Sequence, residues 1–294
     1  MQQAKLTPMP NTTTGHQNTT NDHPTPTGRL SPTAAHPARV YCYWLGGKDH
    51  YPADRAAADE VARHRPQAAA GATANRAFLA RAVRYLAAEH GIRQFLDIGT
   101  GLPAPGAAHQ IAQQVDPACA VVYVDNDPLV LTYARALLTP TPPGRCAYVD
   151  ADLRDTRTVL AQASRTLDFA QPAAVLLLAV LHFLPEADDP AGAVARLAAA
   201  LAPGSFVVIS HLTSDFAPGP VEAGVAAYNA AVATAVVPRT HDQVTALFGG
   251  LPLVAPGVVP VAEWRPTIGL PRRHTADLHA GIARIPHLHG GQRP

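Results

Sequence analysis

Beyond residue 91 the chain alternates short, unbroken apolar runs with segments whose apolar residues recur at helical spacing. The runs are RQFLDIG at 93–99, VVYVD at 121–125, CAYVD at 146–150, AAVLLLAV at 173–180 and SFVVIS at 205–210. PLVLTYARALL at 128–138 and AGAVARLAAAL at 191–201 carry the helical pattern. Continuous apolar strands separated by helices predict a parallel sheet covered on both faces, a doubly wound α/β fold of Rossmann-like type. Further on, 221–237 and 240–251 read as helices, and LVAPGVV at 253–259 and HAGIARI at 279–285 as two late strands. Residues 264–279 are too rich in Pro and Arg to assign.

Ahead of the sheet, GATANRAFLARAVRYLAAEHG at 71–91 spaces Phe78, Leu79, Ala82, Val83 and Leu86 along one helical face, with Gly91 as a natural stop. One or two more helical stretches precede it, so residues 31–91 read as a helical cap, 92–286 as the α/β core and 287–294 as a tail. The first 30 residues are Thr, Asn, Pro and Gln with almost no large apolar side chains, a composition that predicts disorder.

Ligands of open α/β sheets bind beyond the carboxyl ends of the strands, which directs attention to FLDIGTGLPAPG at 95–106. Gly99-Thr-Gly101-Leu-Pro-Ala104 satisfies the dinucleotide fingerprint literally. Pro103 and Pro105, however, remove backbone donors that a pyrophosphate needs, and Asp97 adds negative charge where a phosphate would add more. That acid suits an amine. Asp125, ending the next run, lies 26 residues past Gly99, somewhat beyond the roughly 20 of the fingerprint, and a carboxylate there can accept from both hydroxyls of a ribose. Asp152, after the third run, can accept from an adenine amino group. Amine, ribose and adenine together describe S-adenosylmethionine. Each residue also has a plainer reading: Asp97, Asp125 and Asp127 as helix caps, Asp150, Asp152 and Asp155 as solvated loop acids, the glycines as a tight turn.

RVYCYWLGGKDHYPADR at 39–55, ANRAFLARAVRYL at 74–86, FLDIGTGLP at 95–103, VVYVDNDP at 121–128 and AVLHFLP at 179–185 together resemble an actinobacterial S-adenosylmethionine methyltransferase family long catalogued as a domain of unknown function, a branch of the class I methyltransferases. The resemblance spans about residues 31–286. It implies a seven-stranded sheet whose last strand is antiparallel, with cofactor contacts at Asp97, Gly99, Thr100, Gly101, Asp125, Asn126, Asp152 and Leu153. Asn75 and Arg76 either reach the ligand carboxylate or begin the helix that follows them. The resemblance further implies that Tyr41, Gly46, Gly47, Lys48 and Asp49 belong to a segment folded over the cofactor. Read without the resemblance, that segment is a helical cap whose glycines end a helix. Its GGK lacks the G-x-x-x-x-G-K-[ST] frame of a phosphate loop.

Methyl transfer asks a protein to align reactants and exclude water, with a base where the nucleophile must lose a proton. His182, in AVLHFLP, and His211, in VVISHLTSD, are the candidate bases at the strand ends; hydrogen-bonded structural histidines are the alternative. The remaining features narrow the field. A net charge of +1 from 23 basic and 22 acidic residues supplies no field for nucleic acid, and LHFLP stands where a base-methylating enzyme carries an Asn/Asp-Pro-Pro-aromatic tetrad. Cys42, Cys119 and Cys146 form no CxxC pair, and His274, His279, His287 and His289 no HxxxH pair, so no metal is expected. The longest apolar run, 173–184, falls short of a membrane span and no signal pattern opens the chain, which predicts a cytoplasmic protein. The expectation is a methyltransferase using S-adenosylmethionine on a small-molecule acceptor. A cofactor-binding protein without turnover, or a nicotinamide-dependent oxidoreductase, are the rival readings.

Overall fold

The computed structural model describes residues 31–137, 142–266 and 276–287; the expected N-terminal tail and most of the segment left unassigned above lie outside the described residues. Five strands, β1 (Gln94–Ile98), β2 (Ala120–Asp125), β3 (Arg145–Asp150), β4 (Ala174–Leu178) and β5 (Phe206–Leu212), are parallel to one another. The last of the described strands, β7 (Leu278–Arg284), lies antiparallel between β5 and the two-residue β6 (Val259–Pro260). The resulting seven-stranded order is β3-β2-β1-β4-β5-β7-β6. Chain direction across the sheet reverses between β1 and β4, which opens a crevice at their carboxyl ends.

The period-2 geometry of the strands divides the apolar runs between two cores. Phe95 of β1, Leu176 of β4 and Val208 of β5 face one layer, while Leu96, Leu177 and Ile209 face the other. The first layer is built from α1 (Pro37–Trp44), α2 (Pro52–His64), α3 (Ala68–Glu89), α4 (Ala108–Val115) and α8 (Pro218–Ala231), and the second from α6 (Thr156–Ala163), α7 (Pro190–Ala199) and α9 (His241–Ala246). In α3, Phe78, Leu79, Ala82, Val83 and Leu86 are all buried, as their spacing predicts. Trp264, fully buried, meets Phe78 and Tyr85 edge-on at 5.4 and 5.5 Å between ring centroids.

The cap is tied down by charge as well as by packing. Asp54, fully buried, accepts hydrogen bonds from the His36 and Tyr51 backbone N–H groups at 2.9 and 2.7 Å and faces the Arg39 guanidinium. Arg65, at the end of α2, donates through Nε to Asp277 just ahead of β7 at 2.8 Å. Each of these buried acids faces a guanidinium and accepts at least one further hydrogen bond, from Gln67 in the case of Asp277, the condition under which a charge is tolerated in an interior. Among the described residues no helix is long and apolar enough to cross a membrane.

Candidate functional site

A cavity of about 530 Å³ sits over the carboxyl ends of β1 to β4. Its roof is one face each of three helices: Pro37, Ala38, Tyr41 and Trp44 of α1, Ala68, Gly71, Ala72, Asn75, Arg76 and Leu79 of α3, and Gly224, Val225 and Tyr228 of α8. The small residues at 68, 71 and 72 recur on one helical face and leave room beneath α3.

Its floor begins with the turn after β1. Gly99, at φ +72°, donates its N–H to Val124 O at 2.9 Å, and a Cβ built there would lie 2.4 Å from a Val180 methyl. The turns after β1 and β4 therefore interlock with no space for a side chain. Gly99→Ala should cost about 2–4 kcal/mol of stability, from overpacking plus the left-handed backbone. A denaturant titration checks this, and a cost under about 0.5 kcal/mol would show that the two turns can part.

Gly101 donates its N–H to Asp125 Oδ2 at 2.8 Å, and Asp127 donates its own to Asp125 Oδ1 at 3.0 Å. Helix α5 (Pro128–Leu137) is instead capped by Asp127, which accepts from the Leu129 N–H at 2.9 Å and pairs with His36 at 2.9 Å. Asp125 is thus no helix cap. It ties the glycine turn to the end of β2, and since a carboxylate offers about four lone-pair sites, two remain for a ligand. Burial pushes its carboxyl up from the ordinary value despite those two N–H donors. Burial also raises Asp127, but His36 and the Leu129 N–H outweigh it and leave that acid below the usual range.

Asp97, 5% exposed, has its carboxyl pushed up to about 6. Burial is the main cause and Asp125 adds to it, while Arg76 and the Thr100 hydroxyl pull the other way. Arg76 acts through space, its guanidinium donating to Pro105 O and Gly106 O. A buried acid held at this value is poised for a cation that the protein itself does not place against it. Across the floor, Asn126 donates to Asp152 Oδ2 at 2.9 Å, Arg154 pairs with the same carboxylate, and Leu153 supplies buried apolar wall. An amine at Asp97, a ribose at Asp125 and a purine between Asp152 and Leu153 all find chemically matched groups in this one cavity.

Asn75 joins roof to floor. Its Nδ2 donates to the Tyr41 hydroxyl at 3.0 Å, Tyr41 donates onward to Ala72 O, and Asn75 Oδ1 accepts from Ser210 Oγ at 2.6 Å. Ser210 Oγ in turn accepts the N–H of Ala179 at 3.0 Å, holding that non-glycine residue at φ +53° beside Val180. Neither expectation for Asn75, at the ligand carboxylate or at the start of a helix, includes this link, and α3 begins seven residues earlier, at Ala68.

The segment expected to fold over the cavity does so only in part. Tyr41 lines it, but Gly46, Gly47, Lys48 and Asp49 do not. Gly47 donates its N–H to Cys42 O, where it terminates α1, and packs against the Cys42 side chain; Lys48 is exposed and Asp49 lies beside Tyr133, whose hydroxyl it holds above the ordinary pKa. The helix end turns these four residues away from the face that carries Tyr41.

The two histidines separate likewise. His182 follows β4 in a 3-10 turn (Leu181–Phe183), lines the cavity, and its Nδ1 is buried without a partner. Burial, then His211, Arg65 and Arg239, hold its pKa well below the ordinary value, so the imidazole is neutral. His211 is fully buried and does not line the cavity. Its Nδ1 lies 2.7 Å from Leu212 O and its Nε2 2.8 Å from Arg239, with the pKa lowered to about 3, chiefly by burial. Both nitrogens are spent on structure, so its candidacy as a base does not fit the geometry. Sequence reading missed Trp44, Arg65 and Tyr228 in the cavity wall; no local signal marks them.

A family model described as S-adenosyl methyltransferase matches residues 24–286. Among solved structures, a DUF574 family protein from Streptomyces avermitilis MA-4680 is 43% identical with a TM-score of 0.82, the match covering 86% of this chain and 98% of that one. A proposed methyltransferase from Thermobifida fusca YX is 38% identical with a TM-score of 0.81, covering 89% and 98%. Curated proteins provide no match. With a cavity at the switch point of a seven-stranded sheet and a family match over nearly its whole length, the chain belongs to the S-adenosyl methyltransferase family and is a class I methyltransferase that uses S-adenosylmethionine.

Proposed function

We propose that the chain methylates a small molecule held inside the capped cavity. The observation that carries this reading is the roof: α1, α3 and α8 cover the strand ends, so an acceptor meets the cofactor inside a cavity of about 530 Å³ and not on an open face, which suits a small ligand and not a folded macromolecule. S-adenosylmethionine, when bound, supplies a methyl group already activated on a sulfonium. Asp97 holds the amine, Asp125 accepts from the ribose hydroxyls, Asp152 with Asn126 and Leu153 borders the purine, and Arg76 with Asn75 faces the carboxylate end. Tyr41 and the helix face around it exclude water, which strengthens every polar contact inside. His182, neutral and facing the cavity, accepts a proton where the nucleophile must lose one.

The test is formation of S-adenosylhomocysteine when the protein is supplied with S-adenosylmethionine and a cell extract split by ultrafiltration. Turnover should follow the low-molecular-weight fraction. Turnover that follows only the retained fraction would replace the small acceptor with a macromolecular one. Cofactor binding without turnover in either fraction would favour a sensor or assembly partner.

A further inference from the structure

The wall contributed by α2, α8 and the turn after β4 differs in chemistry from the acid-bearing floor. It carries no carboxylate, and its one guanidinium, Arg65, is already committed to Asp277. Four polar atoms in residues lining this cavity are buried without hydrogen-bond partners: Thr100 Oγ1 on the floor beside Asp97 and, away from that floor, His182 Nδ1, Tyr228 Oη and, from α1, Trp44 Nε1. Buried polar groups are almost always paired, so the three left open away from the cofactor floor point to a second ligand that completes them. The aromatic rings are contiguous, with Phe183 lying 4.4 Å from His182 and 6.3 Å from Tyr228 between centroids.

Resting on the methyltransferase reading above, we infer that this wall receives an uncharged, planar aromatic acceptor. Its phenolic or enolic hydroxyl faces His182, and a second oxygen accepts a hydrogen bond from Tyr228 or Trp44. An ammonium group finds no acid here and an anion finds no free cation, so both would be buried unpaired. Ring faces on Phe183, Tyr228 and Trp44 suit a flat apolar body. His182 stays neutral beside Arg65, Arg239 and His211. It is a weak base, better matched to an acidic phenol or enol than to an aliphatic alcohol. In the reaction the acceptor oxygen forms a bond to the methyl carbon as the carbon–sulfur bond breaks. The sulfonium becomes a neutral thioether, and the hydroxyl proton passes to His182 and then to solvent.

The test uses the full chain saturated with S-adenosylhomocysteine at pH 6.5, with 7-hydroxycoumarin as the neutral probe. 1-Naphthoate and 1-naphthylmethylamine serve as its charged counterparts. The coumarin should bind saturably and at least about tenfold more tightly than either charged probe, and Tyr228→Phe and His182→Ala should each weaken it by about tenfold, the effect of one buried hydrogen bond. Tighter binding of a charged probe overturns the inference. So does unchanged coumarin binding in both folded variants, or no coumarin binding by protein that has taken up S-adenosylhomocysteine. Protein that folds but takes up no S-adenosylhomocysteine overturns the cofactor site itself, and this inference with it.

Discussion

Replacing Asp97 with asparagine should stabilise the cofactor-free protein at neutral pH while crippling its hold on S-adenosylmethionine. An acid whose folded pKa is raised is easier to keep protonated than ionised. Its cost to the fold is therefore absent below the unfolded value of 3.8, grows as pH rises toward about 6 and is fully present above that. The step from 3.8 to about 6 corresponds to about 3 kcal/mol at pH 7. Asp97→Asn removes that cost, so the variant should melt several degrees higher than the parent at pH 7 and alike at pH 4. Loss of the buried ion pair with the cofactor amine should weaken binding by at least about 100-fold, since breaking such a pair costs about 3–5 kcal/mol. Parental affinity should itself decline below pH 6 as Asp97 takes up a proton. Melting and titration calorimetry on the same samples check both halves, and an asparagine variant that binds like the parent would remove Asp97 from the cofactor site.

Asp125→Ala is the second large effect. The carboxylate accepts from the Gly101 and Asp127 N–H groups, so its loss loosens the glycine turn as well as removing the ribose contact. Hydrogen bonds to a charged group contribute about 1.5–3 kcal/mol. Affinity for S-adenosylhomocysteine should therefore fall by about 10- to 150-fold, together with a lower melting temperature. Asp127→Ala is the control. It removes the cap of α5 and the His36 pair, costing about 1 kcal/mol of stability, and should leave affinity within about threefold. Unchanged affinity in folded Asp125→Ala would sink the ribose assignment.

What the sequence disclosed depended on how local the signal was. β1 to β5 were legible because each is an unbroken apolar run, and Asp97, Asp125 and Asp152 because an acid closes or follows such a run. LVAPGVV was read as one strand, but the chain turns at Pro256 and Gly257; only a bridge at Leu253 and the pair Val259–Pro260 join the sheet. The helix expected over 221–237 ends at Ala231, where Val232 bridges to Ala35 of the cap. α4 and α6 went unassigned because AHQIAQQV and TRTVLAQA are short and polar enough to pass for loops. His182 and His211 look alike in sequence, each near a strand end. They differ because Arg239, 28 residues past His211, closes one ring and not the other. Tyr228 and Arg65 reach the cavity only through helix packing, which no window of sequence contains.

The order of synthesis follows from where β7 lies. This strand, the last of those described, is inserted between β5 and β6, and Asp277 immediately before it anchors Arg65 of the cap across 212 residues. The helices of the cap therefore wait through those 212 residues of synthesis before their buried guanidinium finds its acid, and until then one edge of β5 stays open. Long-range closures of this kind slow folding and expose sticky edges in the interim. A chain that has not reached residue 277 already carries the residues of the five parallel strands and every cofactor acid, but not the acid that anchors its cap.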